Sequence, residues 1–326
     1  YPKFLEKLAV CRDKMFGYDY SAFFTTESAA QRADLITGGV NHILAPGDED
    51  TAREFVEQAG IMLKAYGLAK SRATDSERTE AGYFQVVREL IIQLTEQGGP
   101  QPGSKSKLTL KQVNERINAL LEQNIVHSDG VINLFKVEDE TVSVFDPKFL
   151  ASLSRMKERN LAYELLKKLI DDQIKGYRSK SVTQAKKYSE LMQGMVNGYL
   201  NGQLTNAEVF EEMLKMAQEM LTENQKAKDL GLTEEEFAFY EALTQPQAVA
   251  DYYRERNDEL VAITQELATK MRELRTVDWQ KKQSARAAMR VAIKRLLKHH
   301  KYPPEGMESA LSTVMEQCEL WADNAA

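Results

Sequence analysis

Five basic side chains recur every four residues near the end of the chain, and they could bind phosphate groups or carboxylates. They are Lys282, Arg286, Arg290, Lys294 and Lys298, which we call the basic stripe. In a helix, each step of four residues overshoots one turn by about 40°, so the five spread over roughly 160° of the surface. Each could neutralise one phosphate of duplex DNA, or the set could contact an acidic protein partner.

Apolar side chains fill a second arc, of roughly 140°, on the same predicted helix over residues 279–301. They are Ala285, Ala288, Met289, Ala292, Ile293 and Leu296, whereas Lys281 and Leu297 do not fit the division. The small alanines would allow another helix to approach closely. Because charged outer faces are common on surface helices, the basic stripe could also be solvated, or paired with the acidic segment Thr205–Leu243. Aromatic residues do not interrupt the stripe, which disfavours stacking on single-stranded nucleic acid.

A glycine-rich segment has part of the pattern of a phosphate-binding loop. Gly98 and Gly103 have the right spacing, but Ser104 stands where that loop needs lysine, and Lys105 comes one residue late. The preceding segment has helical spacing rather than that of a strand, and two prolines remove backbone N–H groups that would bind phosphate. We interpret this segment as a linker and predict no nucleotide site in it.

An acidic pattern in the middle of the chain partly matches a nuclease site. Asp129 and the run Asp146-Pro147-Lys148 have the residue types with which restriction-type nucleases hold Mg²⁺. That site needs a strand at Asp146, and Pro147 would interrupt the strand. A helix that Asp146 caps and Pro147 begins accounts for both residues. We therefore predict a helix start here rather than a metal-dependent nuclease site.

Histidines and clustered acids do not predict a site either. His299 and His300 point about 100° apart on a helix, so they cannot form the i, i+4 pair that zinc sites use. At the end of the basic helix they favour a surface role near the helix dipole. Thr233 and Glu236 form a capping box, which accounts for the acids between them. We predict no catalytic residue, cofactor-binding residue or metal ligand, although a hydrolase built from acids distant in sequence is an alternative.

Helical spacing of apolar residues dominates the elements that must position these side chains. It predicts helices over about 50–70, 81–96, from 109, and over about 147–175, 181–200, 205–222, 233–243, 248–275, 277–301 and 307–322. β-Branched and aromatic residues at 131–135 and 141–145 predict one small β-hairpin. The predicted fold class is therefore mainly α, a multi-helix bundle-like assembly with a hairpin near 131–145. A linker at 98–108 would join an N-terminal helical subdomain, 1–97, to a C-terminal one, 109–326.

Composition limits the class of protein. The 326 residues are 43% hydrophobic, enough for a sizeable core, and no run approaches the roughly 20 apolar residues of a membrane span. The net charge of −6 argues against nucleic-acid binding by the whole surface. The chain begins at Tyr1 without a leader, so we expect a piece of a longer chain with no secretory signal. Cys11 and Cys318 are then expected to be reduced thiols in a cytoplasmic protein.

Several stretches, in order along the chain, carry a resemblance to a known family. The first is Met15–Phe24, with the helix that reaches Asn41-His42-Ile43-Leu44. The next run from Phe145 to Leu150, through Met156-Lys157, to Asn160-Leu161-Ala162, and then from Leu232 to Leu243. The last comprises Asp278-Trp279, Arg286, Arg290, Leu296-Leu297 and Tyr302-Pro303-Pro304. Together they resemble the C-terminal helical region of the motor (R) subunit of type I restriction enzymes.

The resemblance implies a parent subunit with a nuclease domain and two helicase-like motor domains that use ATP and Mg²⁺. The helical tail would dock this motor onto a methyltransferase core of modification and specificity subunits, and another subunit would read the DNA sequence. The phosphate loop, the acidic helicase box and the nuclease triad are missing from this sequence, so no catalytic role is carried over. Catalysis would then belong to the parent, an ATP-dependent type I site-specific deoxyribonuclease.

Our hypothesis is therefore a helical assembly domain that couples a DNA translocase to its methyltransferase partner. The basic stripe is the predicted partner- or DNA-binding surface. The alternative is an autonomous module that binds duplex DNA through the basic helix at 279–301. We expect no cofactor within this part of the subunit.

Overall fold

Helices dominate the residues that the computed structural model describes. These are residues 1–44, 49–95, 110–124, 147–274 and 279–324. The mainly helical prediction is confirmed, since these ranges hold fourteen α-helices and no strand. The predicted hairpin at 131–145, the predicted linker at 98–108 and the glycine-rich segment lie outside the described residues, as do Asp129 and Asp146. The described residues therefore give the hairpin no support.

The chain divides into two compact units, Tyr1–Leu169 and Ile170–Ala326. The predicted subdomains, 1–97 and 109–326, have a different boundary and stay a prediction. Both cysteines are buried, Cys11 in the first unit and Cys318 in the second, and they form no disulfide. In the described part of the chain, no helix is both long enough and apolar enough to cross a lipid bilayer.

The first unit contains helices α1 to α6 and the beginning of α7. Their bounds are Pro2–Lys14 (α1), Ala29–Ile43 (α2), Glu49–Ala69 (α3), Asp75–Leu94 (α4), Leu110–Asn124 (α5), Pro147–Ser154 (α6) and Arg159–Tyr177 (α7). A short 3-10 helix covers Ser21–Phe24. The predicted helix start at Pro147 is confirmed, in line with the preference of proline for the first helical position.

Helix α4 lies at the centre of the first unit. It packs against α2, α3 and α5, and it is buried along most of its length. A capping box between Thr74 and Glu77 begins this helix. Its two buried acids are each paired: Glu80 with Arg12 of α1, and Glu89 with Arg116 of α5 at 2.5 Å. Charged residues are rarely buried without such a partner.

Two adjacent glycines in α2 allow tyrosines to lie directly on the helix backbone. A Cβ atom would lie 2.2 Å from the Tyr18 hydroxyl at Gly38 and 2.1 Å from the Tyr83 hydroxyl at Gly39. Both hydroxyls donate to the carbonyl oxygen of Leu35, at 3.0 and 3.1 Å. Glycine destabilises a helix interior. At these two positions it is required because any larger side chain would overlap the tyrosine hydroxyls.

Asn41 joins two of the stretches that carried the family resemblance. Its side-chain oxygen accepts hydrogen bonds from the backbone N–H of Asn160 at 2.9 Å and of Leu161 at 3.3 Å. The Asn160 side chain donates to the Asn41 carbonyl at 3.0 Å. The end of α2 thus satisfies N–H groups in the first turn of α7, which have no partner within their own helix.

The second unit contains the rest of α7 and helices α8 to α14. Their bounds are Val182–Leu200 (α8), Asn206–Asp229 (α9), Glu234–Thr244 (α10), Gln247–Tyr252 (α11), Asn257–Leu274 (α12), Gln283–His299 (α13) and Met307–Asn324 (α14). Short 3-10 helices at Trp279–Lys281 and Pro304–Gly306 precede the last two. Helix α10 is the centre, because it packs against α8, α11, α12 and α14. The predicted capping box between Thr233 and Glu236 is confirmed at its start.

The predicted helix 147–175 is wrong in one respect, because it divides into α6 and α7. The hydroxyls of Ser152 and Ser154 donate to the carbonyls of Phe149 and Ala151, at 2.7 and 2.9 Å. The Arg159 guanidinium donates to the carbonyl of Ser154 at 2.9 Å. Side chains thus occupy carbonyls that the next helical turn would use, and the helix ends.

The predicted helix 248–275 likewise divides into α11 and α12. Tyr253 is buried at the break, where its ring packs against Tyr302. Asn257 accepts a hydrogen bond from the Tyr240 hydroxyl at 2.6 Å. Two acids in the first turn of α12 suit a new helix N-terminus. The opposite difference occurs in α9, which continues seven residues beyond its predicted end at 222.

Candidate interaction face on the basic helix

Helix α13 is held to the second unit by an apolar face. Met289, Ile293 and Leu296 are buried in the core, which confirms that part of the predicted arc. Ala285 and Ala292 pack partly against the core. The prediction is wrong for Ala288, which is exposed, and Leu297, which did not fit the predicted division, is buried. The centre of the buried face is therefore rotated about the helix axis by about 40° to 60° from the centre of the predicted arc.

The basic stripe does not occupy one face of α13, because its four-residue step winds around the axis. Arg286 lies at the edge of the buried face and is half-buried, whereas Arg290 and Lys298 are exposed. Lys294 lies on the flank between these extremes and is half-buried. Lys282 is the exposed N-cap residue and makes no side-chain capping bond. The five cations thus have different surroundings.

Two members of the stripe are neutralised by helix α14. The Arg286 guanidinium lies 2.6 Å from the carboxylate of Glu319, and the Lys294 ammonium lies 2.8 Å from that of Glu308. The hydrogen bond from Lys294, its charge and that of Arg290 lower the pKa of the Glu308 carboxyl. These pairs attach α13 to α14, so Arg286 and Lys294 have a partner within the fold.

The other cations of α13 face solvent. Arg290 and Lys298 form no ion pair with any described residue, and the same is true of Arg295. Ala287 and Val291 lie between these cations around the helix axis and are also exposed. Val291 is 49% exposed. We call Ala287, Arg290, Val291, Arg295 and Lys298 the outer face. It has an apolar centre and a positive rim whose cations form no ion pair with a described residue.

The sequence prediction missed Arg295 and Val291. The spacing Val291, Arg295, Lys298 follows the i, i+4, i+7 pattern of one helix face, and this signal could have identified them. The four-residue stripe was the more conspicuous pattern. It follows a line that winds around the helix rather than a line parallel to its axis.

The acidic segment Thr205–Leu243 finds other partners. Within the described residues, Glu235 pairs with Arg272 at 2.8 Å, Glu234 with Lys180 at 3.0 Å, and Glu223 with Lys187 at 2.7 Å. Among the described residues, the acidic segment therefore does not neutralise the basic stripe, as the alternative had expected. The segment does pair with Arg272, a basic residue that lies just before the stripe in sequence.

The histidine pair lies where the sequence predicted, at the end of α13. His299 is the last helical residue and His300 the C-cap. The His300 ring lies 2.7 Å from Glu266 of α12. Among the residues with described positions, no three histidine, cysteine, aspartate or glutamate side chains are grouped so that they could hold a metal ion.

Comparison with known proteins gives one family. The family described as type I restriction enzyme HindI endonuclease subunit-like, C-terminal, matches residues 1–324. The type I restriction enzyme HindI endonuclease subunit of Haemophilus influenzae is 30% identical over 281 residues, which are 85% of this chain and 25% of that protein.

A second relative comes from Methanocaldococcus jannaschii, where it is assigned to the type I restriction enzyme MjaIXP as endonuclease subunit. It is 25% identical over 254 residues, which are 77% of this chain and 23% of that protein. The chain thus spans about a quarter of the length of the curated relatives it matches. No solved structure matches it significantly.

Proposed function

This chain belongs to the family of C-terminal regions of type I restriction enzyme endonuclease subunits, and on that premise we propose that it is the assembly module of such a subunit. In this role it docks an ATP-driven, DNA-translocating endonuclease onto a methyltransferase core of modification and specificity subunits. Nuclease and motor activity then reside in the parts of the subunit outside this chain.

The outer face of α13 is the observation that carries the proposal. A helix anchored by four buried apolar side chains presents Arg290, Arg295 and Lys298 without carboxylate partners, around an apolar centre. An apolar centre with a charged rim is the common layout of protein interfaces. Positive side chains without an ion-pair partner favour an acidic partner surface and raise the rate of association.

Duplex DNA is the second candidate partner, because the same three cations could contact phosphates. Phosphate contacts need no apolar centre, however, and DNA binding by charge alone requires several cations with a steep salt dependence. Two members of the basic stripe are already neutralised by α14. Val291 and Ala287 therefore favour a protein partner over DNA.

The test is capture of the modification–specificity complex encoded with this protein by the immobilised chain. We expect Arg290→Glu with Lys298→Glu to weaken capture at least about tenfold, because both cations would lie at the interface and charge reversal adds repulsion. A matched control is Lys64→Glu with Lys228→Glu, which changes the net charge equally at two exposed positions outside the face. Circular dichroism checks that both variants fold.

Three outcomes separate the candidates. Weaker capture by the outer-face variant alone supports docking through α13. Equal capture by both variants and the parent chain contradicts that docking. A tight complex with duplex DNA that weakens steeply with salt and is lost in the outer-face variant, without any capture of the methyltransferase complex, establishes the DNA-binding alternative instead.

A further inference from the structure

A groove runs between α8, α9 and α10 in the second unit, away from the outer face of α13. Its volume is about 1420 Å³. Apolar side chains contribute to its lining, among them Leu191, Met195, Leu204 and Phe237. Leu191 is 45% exposed, which leaves apolar area of the groove in contact with water. Contact with another apolar surface would remove that area from water.

The charges around the groove leave negative charge unpaired. Six glutamates and four lysines line it. Of the lysines, Lys187 is shared by Glu219 and Glu223, and Lys215 pairs with Glu212 at 2.6 Å. Lys226 lies over the ring of Tyr240, 5.1 Å from its centroid. Two of the four lysines are therefore paired with glutamates, whereas Lys226 keeps its charge and exposed Lys186 forms no ion pair with a described residue. The lining nevertheless has two more glutamates than lysines.

Glu190 and Glu211 have no such partner. Both side chains are exposed, and neither forms an ion pair within the described part of the chain. They belong to α8 and α9, the two helices that flank the groove. A cationic ligand would thus find a carboxylate on each side.

A third carboxylate, that of Glu241, lies at the inner end of the groove. Its oxygens accept hydrogen bonds from the Ser181 hydroxyl at 3.1 Å and the Gln184 amide at 3.0 Å. Burial and the nearby charge of Glu223 raise the pKa of Glu241 to about 8. The charge of Lys187 lowers this pKa, but its ammonium is already paired with Glu219 and Glu223. The Glu241 carboxyl therefore forms no ion pair of its own with a described residue.

We propose that this groove binds a basic amphipathic helical segment of a partner protein, with apolar side chains against Leu191 and Met195 and arginine or lysine side chains against Glu190, Glu211 and Glu241. An amphipathic helix in a groove between helices is a recurrent mode of peptide recognition. The negative rim disfavours nucleic acid and anionic membrane surfaces, since like charges in contact are repelled.

The probe is a labelled synthetic peptide of about 18 residues, with leucine on one helical face and arginine beside it, titrated into the whole chain. A second peptide carries glutamate in place of arginine. Fluorescence anisotropy should show saturable binding of the arginine peptide and none of the glutamate peptide. Absence of saturation, or equal binding of the two peptides, overturns the proposal.

Variants of the chain locate the binding. Glu190→Gln with Glu211→Gln removes two exposed carboxylates and should weaken binding of the arginine peptide about twofold to thirtyfold, the range for two exposed ion pairs. Glu255→Gln with Glu305→Gln removes two exposed carboxylates outside the groove and should leave affinity unchanged. Equal affinities of the two variants overturn the assignment to the groove.

The pH dependence of the affinity tests the role of Glu241. A bound cation favours its ionised form, so affinity should rise between about pH 6 and pH 8 and then level off. Glu223, Lys187 and Tyr177 also face this carboxyl, so the test needs the variant Glu241→Gln. The rise should disappear in that variant; a rise that persists shows that Glu241 does not receive the cation. Neither outcome depends on docking through α13.

Discussion

The guanidinium of Arg286 lies 2.6 Å from the carboxylate of Glu319, and this ion pair connects α13 to α14. The two side chains are 41% and 32% exposed, respectively. The contact is ionic rather than a well-aligned hydrogen bond, since no hydrogen bond is formed at that glutamate oxygen. Arg290, one helical step away in the stripe, has no such partner, so two arginines with identical spacing have different roles.

The first prediction separates those roles by stability. Arg286→Ala should lower the free energy of unfolding by about 0.5–1 kcal/mol, because it removes a half-buried pair that solvent partly screens. Arg290→Ala should change that free energy by less than about 0.5 kcal/mol, as is usual for exposed positions. Urea denaturation followed by circular dichroism measures both. Equal losses in the two variants would show that the pair with Glu319 does not stabilise the fold.

The second prediction concerns the connection between α2 and α7. Asn41→Ala removes the acceptor for the N–H groups of Asn160 and Leu161 and should lower the free energy of unfolding by about 1–2 kcal/mol, as for other N-cap losses. Asn41→Asp keeps an acceptor and places a negative charge at the helix N-terminus, so its loss should be smaller. The comparison is made by urea denaturation. Equal losses for the two variants would contradict a capping role.

The third prediction concerns the buried acid of α4. Glu80 accepts from the Arg12 side chain at 2.8 and 2.5 Å and from the Tyr20 hydroxyl at 2.9 Å. Arg12→Ala leaves this carboxylate without its cation and should cost about 2 kcal/mol, a value below that of a fully buried pair because Arg12 is half exposed. The matched control is Arg53→Ala, whose pair with Asp50 is exposed.

Replacing both partners provides a second check on that pair. Arg12→Met with Glu80→Leu should recover part of the stability, because neither variant side chain leaves a charge buried. A double variant less stable than Arg12→Ala would show that the attraction within the pair exceeds the free-energy cost of burying its two charges. Thermal and urea denaturation of the three variants measure this difference.

The fourth prediction is a pH dependence of stability from Glu241. Its pKa is raised from an ordinary value of 4.5 to about 8, so between these values the folded chain binds more protons than the unfolded chain. The contribution of this group to stability must therefore fall as pH rises from about 4.5 to about 8. Glu241→Gln removes the titration and should gain stability relative to the parent chain across this range, on the order of 1–3 kcal/mol after allowance for partial exposure.

Denaturation at several pH values checks this prediction. The control Glu255→Gln, at an exposed position, should run parallel to the parent chain at every pH. A constant difference between Glu241→Gln and the parent chain from pH 5 to pH 8 would mean that Glu241 does not carry the raised pKa. A difference that grows with pH agrees with the expected sign.

Local signals in the sequence were sufficient for much of the fold. The capping box at Thr233 and Glu236, the helix start at Pro147 and most helix positions depend on residues a few positions apart, so they could be read directly. The divisions between α6 and α7 and between α11 and α12 were missed. They depend on serine and arginine hydrogen bonds to carbonyls, and on Tyr240 of α10 and Tyr302 of the segment after α13, both distant in sequence from the residues they contact.

The sequence by itself determined the family, the helical class and the presence of a basic helix, because these follow from ordered motifs and local periodicity. Tertiary structure alone decided which cations are free. Arg286 and Lys294 are neutralised by Glu319 and Glu308 of another helix, and the outer face is defined by the direction in which Ile293 and Leu297 pack. The same holds for the acidic groove, whose three helices meet only when the core of the second unit forms. Pairing between helices depends on their packing, which spacing within one helix does not encode.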